Sequence, residues 1–249
     1  MNHSVFYKMK FFSYSLSYVV FASILRFDLD PLLNFMLYVG SVWFFYHFSE
    51  YEFFPIDAFR TLPFHKQSYI VTNIVKAHFL LILCVLSFRT LPFLMAPEWS
   101  PREVLYVKNL GALYAALDFT SVFYNQAMSR TTMFHHVCVV LFFVQNYFDD
   151  YSNSSVCRLI MLYAMFSSAA FYINLLLALR HVYDLSYRTY TVAFWTFLTT
   201  TLVNWFVQLQ LMARVYPISL LFYLFPLMFV VNDDIILLQW LLDRATITN

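Results

Sequence analysis

Thr131-Thr132-Met133-Phe134-His135-His136-Val137-Cys138-Val139-Val140-Leu141-Phe142-Phe143 is an apolar run with two adjacent histidines near its start. Its Val, Leu and Phe residues show no alternation of period two, so the run reads as a helix rather than a barrel strand. An imidazole nitrogen buried without a partner costs roughly 1–3 kcal/mol. Neighbouring residues on a helix point about 100° apart. The two rings therefore cannot aim equally at one atom. One can face a cavity while the other meets a carbonyl, a carboxylate or a second helix face.

The rest of the chain is of the same character. Of its 249 residues, 61% are hydrophobic, 22% aromatic and only 12% charged. Soluble domains carry about 25% charged residues. The composition predicts an all-α, polytopic transmembrane helical bundle. Gly40 and Gly111 are the two glycines, which excludes glycine-rich phosphate loops. The net charge of +1 suggests no nucleic-acid partner. Cys84, Cys138 and Cys157 have no paired spacing, so neither a disulfide framework nor a zinc site is read from them. No cleavable leader is expected, because Arg26-Phe27-Asp28-Leu29-Asp30 follows the first apolar run where a small-residue cleavage site would stand.

A spanning helix needs about 20 mostly apolar residues. Segments 11–26, 31–49, 67–89, 104–127, 131–148, 156–181, 187–212 and 216–242 are the candidates, about eight spans, separated by polar or Pro-containing loops. The domain reading is an N-terminal segment with a first span (1–34), a membrane domain (35–243) and a short tail (244–249). With a cytoplasmic N-terminus, the inner loops carry Lys8, Lys10, Arg60, Lys66, Arg130, Arg180, Arg188 and Arg244. The outer ones carry Arg26, Arg89, Arg102, Arg158 and Arg214. The excess of inner cations puts both termini in the cytoplasm and the sequon Asn153-Ser154-Ser155 in the lumen.

Ionisable side chains within spans usually face a bundle interior. In the fourth span Gly111, Tyr114, Asp118, Ser121 and Asn125 fall on one helical face. Gly40, Trp43, His47 and Glu50 share a face in the second, and Thr201, Asn204 and Gln208 in the seventh. The last span carries Asn232 and Gln239, with Asp233 and Asp234 beside them. His78 lies inside the third, with Lys76 expected to snorkel towards an interface. For the single Asn, Gln and Thr residues, hydrogen-bonded glue between helices is the simpler role. Asp118 with His135 and His136 is read as a site. No two of the seven histidines have the i, i+4 spacing of helical zinc ligands, so no metal is assigned.

The order of these features resembles the TLC-domain family, the membrane proteins that include the ceramide synthases. A span with Thr72-Asn73-Ile74-Val75-Lys76-Ala77-His78 precedes one with Gly111-Ala112-Leu113-Tyr114-Ala115-Ala116-Leu117-Asp118, and His135-His136 opens the next. Ser168-Ala169-Ala170-Phe171-Tyr172-Ile173-Asn174 is similar to the Ser-Thr-Pro-Phe-x-Asn run of that family, and Asn232 and Trp240 stand near its terminal Asn-x-x-Trp. The likeness covers residues 35–243. The family's acidic segment after the His pair is replaced by Gln145-Asn146-Tyr147-Phe148-Asp149-Asp150-Tyr151, and Met165 and Phe166 stand where other members have a glutamate.

The resemblance implies acyl transfer from acyl-CoA to a sphingoid base or related lipid amine in the endoplasmic reticulum. His135 or His136 would be the base or nucleophile, with Asp118 orienting it and His78 as a second polar contact. Tyr114, Trp43, Asn174 and Asn232 would line the substrate cavity, and Arg60, Lys66 and Arg130 would meet the CoA phosphates. No bound cofactor is expected. The expected partners are membrane lipids and a second copy of the chain. The missing acidic motif favours the alternative, a non-catalytic protein of lipid binding, lipid homeostasis or trafficking.

Overall fold

The computed structural model describes residues 14, 16–125 and 128–246. Among them the chain is all-helical, with no strand. Helix α1 covers residues 16–23. It is followed by α2 (Pro31–Phe53), the short α3 (Asp57–Arg60), α4 (Phe64–Ser87) and α5 (Pro101–Tyr124). Then come α6 (Arg130–Phe148), α7 (Cys157–Ser167), α8 (Phe171–Leu179), α9 (Tyr187–Met212) and α10 (Pro217–Thr246). A 3₁₀ turn at Ser168–Ala170 joins α7 to α8. Among the described residues, four stretches are long and apolar enough to cross a membrane: Phe64–Thr90, Cys157–Leu179, Tyr187–Met212 and Ile218–Thr246. Much of the first expected span, 11–26, lies outside the described residues.

Local sequence sets several helix starts. Asp30 accepts from the amides of Leu32 and Leu33 ahead of Pro31. Ser100 and Glu103 form a reciprocal capping box around Pro101, and Ser129 accepts from Thr132 N. Each satisfies amides that a helix start leaves without partners.

Helix α5 is the centre of the bundle. It packs against α2, α4, α6 and α7, while α4 packs on α8, and α10 on α9 and α6. Small residues make this possible: Gly111, Ala112, Ala115 and Ala116 are buried and let neighbouring helices approach closely. A Cβ on Gly111 would stand 2.8 Å from Asn146 Nδ2 and 3.1 Å from Met161 Sδ, whereas one on Gly40 meets nothing within 4 Å. The Asn146 amide is also held from its other end, by the Tyr151 hydroxyl. Gly111→Ala sets a helix-propensity gain of about 1 kcal/mol against an overpacking cost of about 1–3 kcal/mol. It should melt below the wild type in detergent, and Gly40→Ala, which has only the gain, above it. Equal melting of the two variants would contradict this packing.

The helices alternate in direction, so the bundle has two ends. At the first, Asn34 Nδ2 reaches Asn109 Oδ1 at 2.5 Å, and Asn109 holds the carbonyls of Phe27 and Leu29. Arg158, counted from sequence as an outer-loop cation, is buried here at 3% exposure. Its guanidinium donates to the carbonyls of Tyr151, Ala96 and Pro97 and lies 4.6 Å over the Trp99 ring. Forked donors bind three carbonyls in one plane, which lets this charge leave water. Tyr151, whose carbonyl takes two of these bonds, has φ 59°, in the left-handed region.

At the other end lie the start of α4, the ends of α5, α8 and α10, and the starts of α6 and α9. Lys66, Arg130, Arg180, Arg188 and Arg244 are all found there.

Candidate functional site

Asp118 sits on the buried face of α5 with no solvent exposure. Two helices bring it basic side chains. Lys76 Nζ of α4 donates to Asp118 Oδ1 at 2.5 Å, and His136 Nδ1 of α6 lies 2.7 Å from the same oxygen. Helices α4, α5 and α6 thus converge on one carboxylate, as expected from the sequence. The α4 residue that does so is Lys76, which was expected to snorkel.

His78 is not brought there. Two residues further along α4 it points about 200° away. Its Nδ1 lies 2.8 Å from the Ile74 carbonyl, and its ring stacks on Tyr18 with centroids 4.3 Å apart. That face of α4 meets α1, where an imidazole needs only a local carbonyl and aromatic neighbours.

The adjacent histidines are divided between two acids. His136 faces Asp118, while His135 Nδ1 lies 3.4 Å from Asp233 Oδ2 of α10. Asp233 is held from its other oxygen by the Thr132 hydroxyl at 3.0 Å. The hundred-degree step along α6 thus gives each ring its own carboxylate. Neither ring N–H is in line for a directed hydrogen bond, and Asp118 Oδ2 has no hydrogen-bond partner among the described residues. Asp234, next on α10, accepts from the Tyr163 hydroxyl.

These groups wall a chamber of about 320 Å³, to which α4 contributes Asn73 and Lys76, α6 His135 and His136, the residue just after α8 Arg180, and α10 Asp233. Tyr114 and Asn174 also line it. Asn174 Nδ2 is used locally, donating to the Ala170 carbonyl at 3.0 Å. A small apolar pocket of about 40 Å³ shares His135 and Tyr114 with the chamber and continues between Val139, Phe142, Phe143 and Met161. His135 is therefore the imidazole that stands between a polar space and an apolar one.

Trp43 and Asn232 lie elsewhere. Trp43 stacks on His47 and meets Tyr124 edge-on, at centroid distances of 5.9 and 5.6 Å, and is 37% exposed. Asn232 is exposed on α10, one residue before the inward Asp233. The third polar face is helix glue: Gln208 receives the Tyr223 hydroxyl at 2.7 Å and donates to Leu159 O and Asn204 Oδ1. Arg60 pairs with Asp57 at 2.8 Å in α3 and does not line the chamber; Arg130 and Lys66 do not line it either.

Three residues that sequence reasoning left aside belong to the site: Lys76, Asp233 and Arg180. The signal available for two of them was charge within or beside a span. Among the described residues, no group of three or more His, Cys, Asp or Glu side chains is placed to hold a metal ion. The chain matches no protein-family model, no curated protein and no solved structure.

Proposed function

We propose that this is a lipid-handling protein of the endoplasmic reticulum membrane, similar to the TLC-domain proteins. It transfers a fatty acyl group from acyl-CoA to a lipid amine of the sphingoid type. The seven expected helical segments from 31–49 onward cross the bilayer, α7 and α8 counting as one. Helices α2, α5 and α6 have 23, 24 and 19 residues, close to the length a span needs. Their polar residues Asn34, Asn109, Asp118 and Asn146 are buried in the bundle and so do not face lipid.

The observation that carries the reading is the position of His135. It joins a polar chamber to an apolar pocket and has a carboxylate of its own. In the reaction the amine nitrogen attacks the thioester carbonyl, the N–C bond forms, and the C–S bond breaks. His135 takes the proton from the amine and returns it to the departing thiolate. Asp233 orients the ring and stabilises its cation. Asp118 is already shared between Lys76 and His136, so its place is in holding three helices together and setting the second imidazole.

The test is incubation of the purified protein with an odd-chain acyl-CoA and a panel of long-chain amines, followed by lipid extraction. An N-acylated product bearing the odd chain is expected, and none from His135→Ala. If no amine is acylated while the protein isolates with bound lipid, the acyl-transfer reading falls. The non-catalytic lipid-binding alternative then stands in its place.

A further inference from the structure

We propose that Arg180 is the anion-binding residue of the chamber, and that the molecule entering it carries a phosphate group on an amphiphilic body. This rests on the reading of the chamber as a lipid-handling site, and not on any chemistry at His135.

The two cations that line the chamber are in different situations. Lys76 is paired with Asp118. Arg180 has no carboxylate within ion-pair distance among the described residues. Its guanidinium lies 4.4 Å over the Trp240 ring and 5.8 Å from the Tyr69 ring. The hydrogen bonds it makes are long: 3.4 Å to the Tyr69 hydroxyl and 3.3 Å to His181 Nε2. Stacking on an aromatic face fixes the plane of the fork, and its two long hydrogen bonds, from Nε and one Nη, are weak enough to be exchanged for two oxygens of one phosphate.

Further cations stand near Arg180, while the chamber's carboxylates, Asp233 and Asp234, are engaged by Thr132, His135 and Tyr163. Lys66 is close enough to the adjacent His181 to act on it electrostatically. Arg244 stands 6.0 Å from the Trp240 ring. A group with more than one negative charge suits such a place better than a single carboxylate, which favours phosphate.

The spacing fits an amphiphile. Tyr69, beside Arg180, is two helical turns from Lys76 on α4, about 10 Å along the axis. A phosphate at Arg180 would leave the attached chain running past the Lys76–Asp118–His136 cluster and His135 towards the apolar pocket. The phosphate could belong to a lipid headgroup or to a soluble carrier such as coenzyme A, and both present the same oxygens to the fork.

The experiment measures binding to the full chain in a phosphate-free maltoside detergent. The probes are a lysophosphatidate, the monoacylglycerol of the same chain length, and desulfo-coenzyme A, which has phosphates and no acyl chain. The wild type should bind the lysophosphatidate about tenfold or more tightly than the monoacylglycerol. Arg180→Gln should bring that ratio to about one, and Arg180→Lys should lower it in part, since a point charge replaces the fork. Arg60→Gln, at a cation paired with Asp57 and outside the chamber lining, should leave it unchanged, and because no acyl donor is present the assay reads binding apart from acyl transfer. Binding of desulfo-coenzyme A that is lost in Arg180→Gln would identify the soluble carrier as the source. Preference for the lysophosphatidate alone would identify the lipid. A wild-type ratio near one overturns the proposal, and so does a ratio that persists in Arg180→Gln. If Arg180→Gln gives no folded protein, an unchanged ratio in Arg180→Lys overturns it equally.

Discussion

Lys76→Met should lower the stability of the bundle by about 3–5 kcal/mol, the cost of leaving one member of a buried ion pair without its partner. Asp118 has no exposed surface and Lys76 Nζ is 2.5 Å from it. After the substitution only the His136 imidazole remains beside the carboxylate, at 2.7 Å. Asp118→Ala should cost a similar amount, because it strands the ammonium in the same place. The pair removed together behaves differently. Lys76→Met with Asp118→Leu replaces two buried charges by apolar groups, and such exchanges are often neutral or stabilising. Thermal melting in detergent of the two single variants and the double variant tests this. The double variant should recover most of the loss. If both single variants melt with the wild type, the pair contributes nothing to the fold, and the convergence of α4, α5 and α6 must rest on packing alone.

The second expectation separates the two histidines. His135→Ala should abolish acyl transfer while leaving protein abundance unchanged, because that side chain lines two cavities and touches α10 through Asp233. Asp233→Asn keeps the shape and the Thr132 contact but cannot stabilise an imidazolium. A loss of about 10²-fold in turnover is expected, within the range assigned to positioned acid–base groups. His136→Ala should act the other way. His136 is buried against Asp118, and truncating a buried polar partner destabilises by about 1–3 kcal/mol. Its loss of activity should follow its loss of protein. One blot and one activity measurement on each variant distinguish the two roles. An active, well-expressed His135→Ala together with an inactive, well-expressed His136→Ala would reverse the assignment.

Helix positions were legible in the sequence because they depend on near-neighbour features. Runs such as Val137 to Val144 specify a helix without reference to the rest of the chain, whereas the caps at Asp30 and Ser100 lie in stretches read from sequence as loops. Asp118, His135 and His136 were legible as a cluster for a related reason: a charge inside an apolar run has few places to go. The sequence also placed Tyr114 and Asn174 on the chamber side.

Which helix face meets which neighbour was decided only by tertiary packing. Lys76 and His78 are two residues apart in one apolar run, and composition does not rank them. Their 200° separation sends one to Asp118 and the other to Tyr18. Asn232 and Asp233 differ by a single step, yet one is exposed and the other reaches His135. Arg158 and Arg180 both read as loop cations. One is buried among the carbonyls of three residues, and the other is stacked on Trp240 at the chamber wall. A helix repeat determines which residues share a face; the partner of that face comes from helices far away in the chain, and no local pattern encodes it.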